Sequence, residues 1–276
     1  MRTAVLRRRK EGMEIKKVTS VYFSPTGGTK KVSAFLAEAL GFSTEDLDIT
    51  DYEAGREPEF FSPDELVIFS VPVYVGRVPS AAAEKIRRFH GNSTPVIVMA
   101  VYGNRDYEDA LLELKDLVSA NGFIPAAAIS AVAEHSIMRH YAAGRPDETD
   151  EGKIKNFGET ILKSFHNIET TIEIPDFPVK GNPDYRKSNG VLLKPAAGEA
   201  CTGCGICSIK CPVHAIPGEA PSETDEETCI SCMRCISVCP VGARSLDQSK
   251  VSRLSQALAE EFKERKESEL FLFQPK

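Results

Sequence analysis

The 276-residue chain reads as an α/β protein: a doubly wound parallel sheet followed by a second, smaller α+β domain. Three observations predict this. From residue 15 to about 167, short apolar runs alternate with amphipathic stretches, the pattern of a parallel sheet with helices on both faces. Beyond 167 the alternation stops, and "IEIPDFPVKGNPDYRKSNGVLLKP", with four prolines and no helical period, reads as an extended linker lying on a surface. All eight cysteines then fall between Cys201 and Cys239, which sets that stretch apart.

Taken in order, residues 1–14 open with "MRTAVLRRRKEG", a basic extension expected to be disordered, with Met13 a candidate natural start. An acidic, lysine-rich strand start follows instead of an apolar export segment, so no signal peptide is expected. Strands are expected at 15–24, 44–50, 65–73, 95–102 and 123–132. The first helix places Val32, Phe35, Leu36, Ala39 and Leu40 on one face. The stretch "RDYEDALLELKDLVSANG" predicts a helix near 106–120, with Asp106, Glu108 and Asp109 in its first turn and a stop at Gly122. A last helix from about 151 buries Ile154, Phe157, Ile161 and Phe165. Between the second and third strands, "YEAGREPEFFSP" is too short and broken for a full helix, so one helix of the sheet is shortened or absent. The domains are therefore 15–167, a linker over 168–195, a cysteine domain over 196–247, and a tail over 248–276. In that tail Val251, Leu254, Leu258 and Phe262 share one face of a docked helix.

A net charge of -6 and a pI near 5.6 argue against nucleic acid as a partner. No apolar run reaches the ~18 residues of a membrane helix, so no membrane insertion and a cytoplasmic location are expected. Crowded cysteines in a chain without an export signal point to metal ligation rather than disulfides.

The cysteines form a repeat, "CTGCGICSIKCPVHAI" and "CISCMRCISVCPVGAR", each C-x2-C-x2-C-x3-C-P-V. Three cysteines at two-residue gaps wrap three corners of a cubane cluster, and the fourth, before proline, ligates the other cluster. One [4Fe–4S] cluster then uses Cys201, Cys204, Cys207 and Cys239; the second uses Cys229, Cys232, Cys235 and Cys211. Gly203 and Gly205 suit a loop whose amides turn towards sulfur. Zinc is the alternative, but it requires neither a third cysteine in the triplet nor a proline after the fourth. The segment resembles bacterial-type ferredoxins with two four-iron clusters, which implies one-electron transfer.

"SPTGGTKK" lies between the first strand and first helix. It lacks the glycine spacing of dinucleotide and nucleoside-triphosphate loops. Ser24, Thr26 and Thr29 supply hydroxyls, Pro25 lies between them, and Gly27 and Gly28 admit a ligand close to the backbone at a helix N-terminus. The pattern resembles the FMN phosphate loop of flavodoxins. A flavodoxin-like five-stranded parallel sheet of order 2-1-3-4-5 would place FMN at its switch point. Lys30 and Lys31 are ill-placed in a first turn; a bound phosphate would offset that, and simple solvation is the alternative. The resemblance implies that two more loops hold the flavin ring: Pro72, Tyr74, Val75 and Gly76 after the third strand, with Arg77 beside them, and Tyr102, Gly103, Asn104 and Tyr107 after the fourth. His135 and Arg145 follow the fifth strand; a catalytic histidine there lacks a nameable partner, and a satisfied loop histidine is the expectation. His214 is expected to pack beside a cluster, and no catalytic residue is assigned.

Nearly the whole chain after Met13 resembles a family of flavodoxin–ferredoxin fusions; it departs from a standard flavodoxin in the short stretch after the second strand. The resemblance implies an electron carrier passing electrons between the clusters, FMN and redox partner proteins. An FMN-dependent reductase of quinones or small electrophiles, fed by its own clusters, remains open, as does a docking module without flavin.

Overall fold

The computed structural model describes residues 13–166, 168–187, 190 and 193–273. Most of the expected basic extension, 1–12, lies outside them. Met13, expected to belong to that extension, packs on the core, and its amide donates to the Ile168 carbonyl at 2.7 Å.

The first domain runs β1 (Lys17–Tyr22), α1 (Gly28–Leu40), β2 (Thr44–Asp48), β3 (Glu59–Phe61), β4 (Glu65–Pro72), α2 (Ser80–Ile86), β5 (Phe89–Gly91), β6 (Thr94–Tyr102), α3 (Ala110–Ala120), β7 (Phe123–Val132) and α4 (Glu148–Phe165). β6 is buried along its whole length and β4 along its middle, as strands covered on both faces must be. That explains their uninterrupted apolar runs. Helix α1 packs against α4, and α2 against α3. The five parallel strands lie in the order β2-β1-β4-β6-β7, the expected flavodoxin-like arrangement.

The sheet has a sixth strand. After a 3-10 turn at Thr171–Glu173, the chain builds β8 (Ala196–Ala197), α5 (Ile206–Ile209), α6 (Arg234–Ser237), β9 (Arg244–Ser245), α7 (Gln248–Ala257) and α8 (Ala259–Phe262). It then returns to the first domain as β10 (Glu269–Leu272), antiparallel to β7. The expected five-stranded sheet and all-helical tail are corrected here. "ELFL" is four residues long and follows a charged helical pattern, so its only distinguishing trait is a terminal apolar run. It covers the edge that β7 would otherwise expose. The tail helix also breaks, at Leu258, which lets Phe262 stack on Tyr141 with ring centroids 4.2 Å apart.

Helix α3 starts later than expected, after Asp109. The acids proposed for its first turn serve the linker and its own loop: the Asp109 carboxylate accepts the amides of Asn182 and Arg186, both at 2.8 Å. Asp106 accepts the Glu108 amide at 2.9 Å. The linker residues Ile168, Ile174 and Phe177 are buried in the main core, and Lys115 donates to the Phe177 carbonyl at 2.7 Å, so this segment lies on the first domain.

No helix follows β2. Residues 51–55 form a tight turn under which the buried Lys85 donates to the Ile49 carbonyl at 2.8 Å and also to that of Asp51. Burial lowers this lysine from its ordinary value to about 8. β3 then pairs in parallel with β5 in a small second sheet.

Candidate functional site

The eight cysteines separate into two groups that cross the repeats. Cys201, Cys204, Cys207 and Cys239 line one small pocket together with Pro240 and Val241. Cys211 lies with Cys229 and Cys235 around Cys232. Burial first, then those neighbouring sulfurs, push the Cys232 thiol up to about 12, and Cys235 rises likewise to about 11. A coordinating metal would override this rise, because it deprotonates a bound thiol outright.

The two copies have matching local geometry. The third cysteine of each sits in a short helix, Cys207 in α5 and Cys235 in α6. The fourth accepts an amide four residues on: Ala215 N to Cys211 Sγ at 3.3 Å, and Ala243 N to Cys239 Sγ at 3.2 Å. Burial opposes the Cys239 thiolate, but the amides of residues 241–244 outweigh it and hold that thiol below its usual range. Strands β8 and β9 close the domain. The buried Arg244 binds the carbonyls of Pro221 and Glu223 at 2.5 and 2.8 Å, clamping the loop between the motifs.

The serine–threonine loop lies at the carboxyl end of β1, beside the crossover between β1 and β4. Gly27 holds φ 91° as the residue before α1, a conformation that excludes β-branched residues. Ser24 Oγ accepts the Lys30 amide at 2.9 Å, and the Ser24 amide donates to Thr50 Oγ1 at 2.7 Å. Among the described residues, the amides of Thr26, Gly28 and Thr29 have no acceptor, so the helix start offers an anion cradle. Thr29 is buried, whereas Thr26 is exposed. The two lysines find partners elsewhere: Lys31 donates to the Pro146 carbonyl at 2.8 Å, and the Lys30 ammonium lies 5.5 Å over the Tyr22 ring. Their tolerance in the first turn therefore needs no phosphate.

The loop after β4 is held in an unusual conformation. Val75 has φ 53° and Gly76 φ 76°, and a β-branched residue in this region signals a constrained loop. Glu113 fixes it by accepting Arg77 Nε and Nη2, both at 2.7 Å, and the Val78 amide at 2.9 Å. Pro72 ends β4. Tyr74 is partly exposed as a residue, but its phenol end is buried, which raises it well above its ordinary value, and Cys232 adds to the rise.

The loop after β6 departs from expectation. The Asn104 side chain serves the tail: it donates to the carbonyls of Phe262 and Glu264 at 3.3 and 2.9 Å and accepts the Lys266 amide at 2.9 Å. Tyr107 is buried, with its hydroxyl donating to Glu269 of β10 at 2.9 Å, and its ring meets that of the buried Tyr102 edge-on. The tail thus bonds Asn104 through the segment before β10 and Tyr107 through Glu269 of β10, and Tyr102 packs on Tyr107. A Cβ on Gly103 would approach His135 to 2.7 Å. The His135 ring is committed to its own loop, Nδ1 accepting the amides of Ile137 and Met138 at 3.1 Å.

That histidine has a consequence for pH. Burial, then Arg105, lowers it from 6.5 to about 4. The unfolded chain thus binds the proton more readily, so His135 stabilises fully above about pH 6.5 and loses that contribution as pH falls towards 4. The stability advantage of the wild type over a His135→Asn variant should shrink by up to about 3 kcal/mol between pH 7 and pH 4, read from denaturant unfolding of both proteins. An unchanged difference would place the ring in solvent.

Residues 200–243 match the 4Fe-4S dicluster domain family. A 70-residue stretch is 34% identical to NADH-quinone oxidoreductase subunit 9 of Thermus thermophilus; it covers 25% of this chain and 38% of that protein. A 66-residue stretch is 30% identical to subunit I from Flavobacterium psychrophilum, covering 24% of this chain and 36% of that protein. The chain thus spans little more than a third of the curated relatives it matches. Among solved structures, the flavodoxin of Fusobacterium nucleatum bound to flavin mononucleotide is 15% identical, with 55% of this chain and 99% of that one covered at a TM-score of 0.39. A flavodoxin from Streptococcus pneumonia TIGR4 is 16% identical, with 54% and 99% covered at 0.37. Likenesses this low carry no argument, and the flavodoxin-like assignment rests on strand order and direction. The chain joins an α/β domain of flavodoxin-like strand order to a segment that matches the 4Fe-4S dicluster domain family. Among the described residues, no helix is long and apolar enough to cross a membrane.

Proposed function

We propose that the protein carries electrons between two [4Fe–4S] clusters and one FMN and passes them to redox partner proteins. The carrying observation is that the cysteine domain touches the serine–threonine loop: Ser237 Oγ and Arg234 Nη1 of the second motif donate to the Pro25 carbonyl at 3.3 and 3.4 Å. Cys201, Cys204, Cys207 and Cys239 hold one cluster, and Cys229, Cys232, Cys235 and Cys211 the other. When bound, FMN exchanges electrons in pairs or singly, whereas each cluster takes one.

The chain's own residues supply binding and orientation. The free amides at the start of α1, with Thr26 and Thr29, receive the phosphate. The rigid loop around Tyr74 offers a ring face and backbone groups to the flavin, and Gly103 supplies backbone in the opposite loop. Amides at Cys211 and Cys239 stabilise negative charge on sulfur. The domains are 15–167 and 196–247, with 168–195 between them.

Anaerobic isolation with flavin and iron counted per chain tests the reading: one FMN should accompany two four-iron clusters. A protein that binds FAD or no flavin refutes it. Thr29→Ala should weaken FMN binding by about 1.5–3 kcal/mol, the worth of a hydrogen bond to a charged group. Gly27→Val, strongly disfavoured at the φ of 91° held there, should weaken it as well. Unaltered flavin affinity in both variants would remove the phosphate from this loop.

A further inference from the structure

The stretch after β2, where a helix is missing, has an occupant. Asp51 accepts two cations of the cysteine domain, Lys210 Nζ on Oδ2 and Arg234 Nη2 on Oδ1, each at 2.6 Å. Its neighbour Tyr52 stacks on His214, with centroids 3.6 Å apart and planes 25° from parallel.

The two cysteine copies differ where they meet the first domain. Gly203, Gly205 and Gly242 all have positive φ, and the matching positions of the other copy are Ser231, Met233 and His214. These three hold φ of 55°, 62° and 54°, a region that side chains disfavour. Two of the side chains are spent on the interface. Met233 is buried with Met138 of the first domain, and His214 stacks on Tyr52. The serine–threonine loop assigned to FMN meets the same side of the cysteine domain, since the Pro25 carbonyl receives Arg234 and Ser237. Cys204, by contrast, is exposed on the other copy.

From these contacts we infer that the 49–58 turn is a seat for the dicluster domain, which thereby forms the outer wall of the FMN site and turns the Cys211, Cys229, Cys232 and Cys235 set towards it. The inference rests on the FMN reading above. Asp51 is the positioning residue: it touches neither the loop amides nor a cysteine, and acts by holding Lys210 and Arg234. Placing a cation there sets three positive groups together and opens the seat.

The test compares FMN affinity and solution dimensions in the full-length, cluster-loaded protein and in Asp51→Lys and Asp51→Glu variants. FMN is removed and then titrated back anaerobically. Asp51→Lys should raise the FMN dissociation constant roughly tenfold and increase the radius of gyration by X-ray scattering, with iron per chain unchanged. Asp51→Glu, which keeps the charge, should restore both. FMN binding by Asp51→Lys as tight as wild type overturns the seat as part of the flavin site. Failure of the unaltered protein to bind FMN overturns the underlying reading, and the inference with it.

Discussion

Replacing Cys211 with alanine is expected to damage the cluster held by Cys229, Cys232 and Cys235, although Cys211 belongs to the first motif. Conversely, Cys239→Ala should damage the cluster of Cys201, Cys204 and Cys207. The proline after each fourth cysteine carries that thiol away from its own triplet, and Cys239 shares a pocket with the first triplet, not the second. Loss of one thiolate leaves three ligands, and the variant should lose iron from one site while retaining the other. Iron counts, magnetic spectra of the reduced protein and density at each site in a crystal of the variant read the outcome. An intact cluster on the Cys229 triplet in the Cys211→Ala variant, with the Cys201 triplet emptied, would mean that each motif serves itself.

The largest effect on stability is expected at Arg145 and Asp150, whose side chains are only 3% and 2% exposed. Arg145 Nε donates to Asp150 Oδ2 at 2.8 Å, and Nη1 donates to the Lys266 carbonyl at 2.7 Å. Asp150 completes a reciprocal cap with Asp147 at the start of α4. The pair therefore joins the loop after β7, the helix start and the returning tail. Asp150→Ala leaves a buried guanidinium unpaired and should cost about 3–5 kcal/mol. Arg145→Met combined with Asp150→Ala removes both charges and should recover a large part of that loss. Denaturant unfolding followed by circular dichroism measures both. A single variant no more damaging than the double would show that the arginine reaches water without its partner.

The parallel sheet was legible because its strands announce burial on both faces: nothing but a covered strand needs "LVIFSVP" or "PVIVMAVY" without a charged break. The cysteine motifs were legible because their chemistry lies in local spacing. What escaped depends on distant parts of the chain meeting. Nothing local to Asn104 and Tyr107 shows that the tail bonds both side chains, Tyr107 through Glu269 of β10, 162 residues beyond it. Asp109 looks like a helix-start acid until the linker amides arrive. The interface did leave a local trace, since the second copy replaces two glycines with Ser231 and Met233, and the first carries His214 where the second has Gly242. Aligning the repeats against each other exposes this asymmetry, whereas matching each to a motif hides it.

The return of the chain to β7 changes what a break in the backbone can do. The dicluster domain leaves the sheet through the 168–195 segment and rejoins it through α7, α8 and β10, so it is a loop pinned at both ends, not a pendant. A single nick in the first tether cuts the covalent link to the first domain, yet the fragment stays held by the pairing of β10 with β7. Its search volume is bounded by two tethers, one leaving the end of α4 and one ending in β10, which keeps its local concentration at the seat high even when the Asp51 contacts open. Opening is then a small excursion followed by recapture, and complete separation requires β10 to peel from the edge of β7.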